Sequence, residues 1–90
     1  WHQFSVLVDE APFGCDRDTL AKRLNEKGVG SAIYYPLGLH QQPVFLEMYG
    51  STSLPVTESL CGRILALPMH NLLDESDILR VIDAVKSCRI

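Results

Sequence analysis

Apolar and polar positions divide this chain into short stretches of different period. From Gln3 to Asp9 the residues alternate, with Phe4, Val6 and Val8 on one face. A period of two predicts a strand. The turn residues Ala11-Pro12-Phe13-Gly14 end it. Leu20 and Leu24 then recur four apart, as on one face of a helix. Asp16 is its expected N-cap, Lys27 suits the negative end of its dipole, and Gly28 is the expected left-handed stop. Val29 to Tyr35 reads as a second strand. Val29, Ser31, Ile33 and Tyr35 share one face, small Gly30 and Ala32 share the other with Tyr34, and Pro36 ends it.

Residues 36–55 are broken up by Pro36, Gly38, Pro43, Gly50 and Pro55. Within them Phe45, Leu46, Met48 and Tyr49 suggest one helical turn, and Gly50-Ser51-Thr52-Ser53 a flexible loop. A long irregular section inside a small domain is often functional. A helix is expected from Pro55, with Val56, Leu60 and Ile64 four apart. Ile64 to Leu67 reads as a brief buried strand stopped by Pro68. The last helix begins after Asp74, with Asp77 completing a near capping box and Ile78, Val81, Ile82 and Val85 as its apolar stripe. The expected order is β-α-β-loop-α-β-α. It implies an α+β two-layer domain, with a sheet of about three strands and helices on one face.

Ninety residues make one domain, 1–90, large enough to fold without staples. Apolar residues are 47 % and charged residues 21 %, as in a soluble globular protein. The net charge is −3 and no basic run occurs, which argues against nucleic acid as a partner. No stretch is long and apolar enough to predict a membrane span. Cys15, Cys61 and Cys88 are odd in number and widely spaced, so no zinc site is expected. They read as free thiols of a cytoplasmic protein. The chain starts Trp-His-Gln without Met, which suggests a fragment, a processed product or a sequence missing its early residues.

Residue types alone give little chemistry. No Ser-His-Asp set, phosphate-binding glycine loop or metal cluster stands out, and Asp9-Glu10 reads as a solvated pair. The best candidate is Tyr34-Tyr35-Pro36-Leu37-Gly38-Leu39-His40, which joins two phenols, a rigid turn and an imidazole at the end of a strand. Phenols and imidazoles can hydrogen-bond a polyol or a phosphate and relay protons. They can equally pack and close a loop.

Tyr34-Tyr35-Pro36-x-x-Leu39-His40, followed by Gln42-Pro43-x-Phe45, resembles a signature of the DegT/DnrJ/StrS sugar aminotransferase family. Leu67-Pro68-Met69-His70 and His2-Gln3-Phe4 resemble two more. Arg17-Asp18-x-Leu20 and Glu26-Lys27-Gly28-Val29-Gly30 lie where that family has a helix and turn. The resemblance runs from about residue 2 to residue 86. It implies the C-terminal small domain of an enzyme with the aspartate aminotransferase fold. Such enzymes use pyridoxal phosphate, held on a lysine of the large domain, to aminate a nucleotide-linked keto sugar. They are expected to be homo-oligomers, usually dimers. By the same resemblance Tyr35, His40 and Tyr34 are candidate substrate contacts, His70 is a weaker one, and His2 and Gln3 secure the first strand. Asn71 and Gly38 depart from the prolines often found there, and Gly38 should loosen the turn before His40.

Lys22, Lys27 and Lys86 match no catalytic motif and read as solvated helix residues. The chain by itself is therefore expected to have no catalytic residue, to bind no pyridoxal phosphate and to be inactive. The alternative is a free-standing relic that acts as a self-associating binding or regulatory module, with the face near Tyr34 and Tyr49 covered by a second copy.

Overall fold

The computed structural model describes residues 1–89. Strand β1, Phe4–Leu7, pairs antiparallel with strand β2, Ile64–Leu67, with Phe4 opposite Leu67 and Leu7 opposite Ile64. Between them lie helices α1 (Glu10–Phe13), α2 (Arg17–Glu26), α3 (Pro43–Tyr49) and α4 (Pro55–Arg63), and a 3-10 turn at Leu39–Gln41. Helix α5, Glu75–Cys88, follows β2.

The expected α+β domain is present, with two corrections. Ala11-Pro12-Phe13-Gly14 is the end of the short helix α1, stopped by Gly14 at φ 101°, and not a simple turn. The middle strand is absent. Ala32 alone bridges Ala66, through Ala32 N–H to Ala66 O at 3.0 Å and Ala66 N–H to Ala32 O at 2.7 Å. The reason lies at both ends of the segment. The Val29 amide is already donated to Leu24 O at 2.9 Å, closing α2, and Pro36 has no amide to give. The sheet is therefore two-stranded, with one bridge where two small residues let the backbones approach.

The helix ends behave as their residues dictate. Asp16 caps α2 by accepting the Thr19 amide at 2.8 Å. Hydrogen bonds from Thr19, the side-chain one first, hold the Asp16 carboxyl below its ordinary value. Gly28 takes φ 76°, the left-handed stop expected of glycine. Asp74 accepts the Asp77 amide at 2.8 Å and the Ser76 hydroxyl at 2.7 Å, and Asp77 returns a bond to the Asp74 amide. The Asp77 amide is the main cause of the lowered Asp74 pKa.

The core is small. Val8, Cys15, Leu20, Leu24, Val29, Leu65, Ala84 and Cys88 form it, where α2 meets α5 and β2. Each fully buried leucine contributes roughly 1.5–3 kcal/mol. Arg17 is the one buried charged residue among those described. Its Nη1 donates to Cys61 O at 2.8 Å and Ile64 O at 3.1 Å, and its Nε to Asp18 at 2.7 Å. The guanidinium thus ties the start of α2 to the end of α4, where helical carbonyls lack partners.

Helices α3 and α4 bury no residue. With the 3-10 turn they form an arm, and the molecule measures 48 × 31 × 20 Å. Its radius of gyration is 15.3 Å. A compact domain of this length would have about 12 Å.

Candidate functional site

The candidate residues sit where residues 29–35 leave the sheet and the arm begins. Pro36 redirects the chain after Tyr35. Tyr34 and Tyr35 meet edge to face at a centroid separation of 5.5 Å, and both rings are exposed, Tyr35 at 66 %. The Gly38 amide donates to Gln41 Oε1 at 3.1 Å and closes the following turn.

Gly38 does not loosen that turn. Its φ is −68°, which any residue can adopt. What matters is the missing Cβ, which would lie 2.6 Å from the His40 ring and 2.8 Å from Thr57 Cγ2. Glycine is required here by the close approach of an imidazole and not by backbone freedom.

His40 is turned inward. Its side chain is 10 % exposed, and neither ring nitrogen has a hydrogen-bond partner. Nε2 lies 3.7 Å from Glu58 Oε2, beyond hydrogen-bond length but within ion-pair range. Glu58 was not singled out by the sequence patterns, and neither was Gln41. Glu58 Oε2 accepts the Leu54 amide at 2.7 Å, and Oε1 accepts from Gln41 Nε2 at a long 3.4 Å. The available signal was an acidic residue in the first turn of a proline-started helix, where it complements the dipole.

The structure does not bring Tyr35 and His40 into one cavity. Tyr35 lines a cavity of about 390 Å³ with Leu37, Gly38, Leu39, Gln42 and Cys61. His40 lines one of about 320 Å³ with Leu39, Phe45, Tyr49, Gly50 and Thr52. Leu39 is common to both. The Phe45 and Tyr49 rings lie nearly parallel, 12° apart with centroids at 6.4 Å. No Lys or Arg occurs from residue 28 to residue 62, so neither cavity has a fixed cation of this segment for a phosphate.

His70 is elsewhere. Its Nδ1 accepts the Leu72 amide at 3.2 Å, which orients the loop before α5. It also edges an apolar groove with Phe4, Met69, Ile78 and Ile82. His2 and Gln3 are exposed and lie outside β1.

The residues present do not fit pyridoxal phosphate. Lys22, Lys27 and Lys86 are all exposed, on α2, at its C-cap and in the last turn of α5. None faces a cavity that also holds Tyr34, Tyr35 or His40. Lys27 edges an open cleft between the C-terminal ends of α2 and α5, where helix dipoles oppose a bound anion. No group of three or more His, Cys, Asp or Glu side chains could hold a metal ion among the described residues. No helix among them is long and apolar enough to cross a membrane.

The model of the DegT/DnrJ/EryC1/StrS aminotransferase family matches residues 1–86. The chain belongs to this family. A DegT DnrJ EryC1 StrS aminotransferase from Brucella abortus is 36 % identical, with a TM-score of 0.82 over 99 % of this chain. DesV of S. venezuelae, solved with a ketimine intermediate, is 32 % identical, with a TM-score of 0.82 over 97 % of this chain. PseC of Helicobacter pylori, an aminotransferase of pseudoaminic acid biosynthesis, shares the fold at a TM-score of 0.85, with 17 % identity. The chain spans 22–23 % of the length of these structures. As a DegT/DnrJ family member, then, it corresponds to about a fifth of its solved relatives.

Proposed function

We propose that this chain is the C-terminal small domain of a pyridoxal-phosphate-dependent aminotransferase that acts on a nucleotide-linked keto sugar. In this reading the segment from Tyr34 to Tyr49 contributes one wall of the substrate cleft in a homo-oligomeric, cytoplasmic enzyme. The observation that supports it best is the pair of exposed phenols at Tyr34 and Tyr35, set on a turn closed by Gly38 and Gln41. Tyr35 and Tyr34 are the direct contacts of the proposed wall. His40, whose nitrogens are shielded, shapes the wall from behind. The absence of Lys and Arg from residues 28–62 suits a wall that meets an uncharged ring, with phosphates bound elsewhere.

The cofactor would supply the electron sink for amino transfer, and residues outside this chain would hold it. No step of that chemistry is carried by the residues present here.

Tyr35→Phe in the whole protein tests the reading. Removal of one substrate hydrogen bond should raise KM for the keto sugar about tenfold, the weight of about 1.4 kcal/mol. The amino-donor half-reaction should be unchanged. Equal kinetics in both half-reactions would count against a substrate role for Tyr35.

A self-associating module is favoured by one observation. Val44, Leu46, Met48 and Tyr49 of α3 are all exposed, which leaves apolar side chains uncovered around the helix, with Val44 and Met48 one turn apart.

A further inference from the structure

We propose that Glu58 is a positioning residue that acts through His40. This rests on the reading of the Tyr34–Tyr49 segment as a substrate wall. The Glu58 carboxylate joins the 3-10 turn to the start of α4. It accepts from Leu54 N–H at the start of α4, from Gln41 of the 3-10 turn, and faces His40 Nε2 at 3.7 Å. Gln41 in turn accepts from the Gly38 amide at 3.1 Å. One carboxylate therefore fastens residues 38–41 to α4, and Tyr35 leaves the same turn through Pro36 and Leu37.

The imidazole has nowhere else to go. Its Nδ1 and Cε1 edge lies against the bare α-carbon of Gly38, where a Cβ would meet both that edge and the Thr57 methyl. Both nitrogens are shielded from solvent and unpartnered, and a buried unpaired polar group is costly. Glu58 is the acidic group within ion-pair range of that ring. Glu47 is the other carboxylate of residues 28–62, and no lysine or arginine lies in that segment to compete. A small rotation that closes 3.7 Å to hydrogen-bond length satisfies Nε2 and fixes the ring. The direction of an imidazole is set by the partner of one nitrogen. Glu58 thereby sets the wall that His40 forms beside Phe45 and Tyr49, and through Gln41 it holds the turn that follows Tyr35.

A double-mutant cycle of Glu58→Ala and His40→Gln decides it, because Glu58 Oε2 serves both the Leu54 amide and His40, so Glu58→Ala removes both, and the loss of the Leu54 contact is common to both legs of the cycle and cancels. In the whole protein each single change should raise KM for the keto sugar about tenfold with kcat within about twofold, and the double variant should raise it about tenfold and no more. Multiplied effects of about a hundredfold would show independent action and overturn the proposal. The same cycle on urea unfolding of the 90-residue chain should show a coupling of at least about threefold in the unfolding constant. Coupling below about threefold there would overturn it as well. If that coupling is intact while His40→Gln leaves KM unmoved, the substrate reading of this segment fails and the link between Glu58 and His40 stands.

Discussion

Replacing Arg17 by Met should cost more than any surface change in this chain. The guanidinium donates to Cys61 O and Ile64 O from a side chain 9 % exposed. Each buried carbonyl that loses its donor costs about 1–3 kcal/mol, so the two together cost about 2–6 kcal/mol. Relief from burying a charge, and the apolar packing of Met, offset part of this. The net loss should be about 2–4 kcal/mol, against a total stability of about 5–13 kcal/mol for ninety residues. Arg17→Lys should lose about 1–2 kcal/mol, because a single ammonium cannot reproduce the fork. Urea unfolding followed by far-ultraviolet circular dichroism measures this, and the Met variant should unfold about 1–3 M earlier at an unchanged slope. A Met variant within about 0.5 kcal/mol of the parent, the size of a surface substitution, would refute the view that Arg17 joins α2 to α4.

Three further outcomes follow from the same structure. Asp16 and Asp74 have folded-state pKa values lowered below their unfolded ones, so their stabilisation is complete above the ordinary carboxylate value and is lost as pH falls through the folded values. The urea midpoint should therefore drop on acidification, and Asp16→Asn with Asp74→Asn should flatten that drop while keeping the caps; an unchanged profile would contradict this. Gly38→Ala should destabilise the chain by about 1–3 kcal/mol through overpacking against His40 and Thr57, and calorimetry showing no change would reject the close approach. The chain should self-associate at high concentration through α3, and Met48→Lys should return it to monomer, as sedimentation velocity would report; a parent that stays monomeric would reject that face.

Local chemistry made most elements legible. Asp16, Gly28, Pro55 and Asp74 mark helix ends by capping, left-handed φ or ring geometry, and all four do so in the fold. Leu20 and Leu24 are buried as their spacing implies, whereas Ile78 and Ile82 of the α5 stripe stay exposed beside an apolar groove. The segment from Val29 misled because alternation records which residues could pair, while pairing depends on amides already used elsewhere, such as that of Val29. Tyr34, Tyr35 and His40 stood out by type, but the inward turn of His40 is set by Glu58, far along the chain, and by the bare α-carbon of Gly38. Such a contact between distant segments has no periodic signature. The family resemblance carried by residues 2–86 is matched by the family model over 1–86.

Whether this domain holds pyridoxal phosphate by itself is read from the absorption spectrum of the purified chain mixed with the cofactor, followed by borohydride reduction and mass spectrometry. No internal Schiff-base band and no defined adduct should form, because Lys22, Lys27 and Lys86 are exposed and lack a phosphate cradle. A stoichiometric phosphopyridoxyl adduct on one of these lysines would contradict this, since this fifth of the family fold would then hold the cofactor by itself.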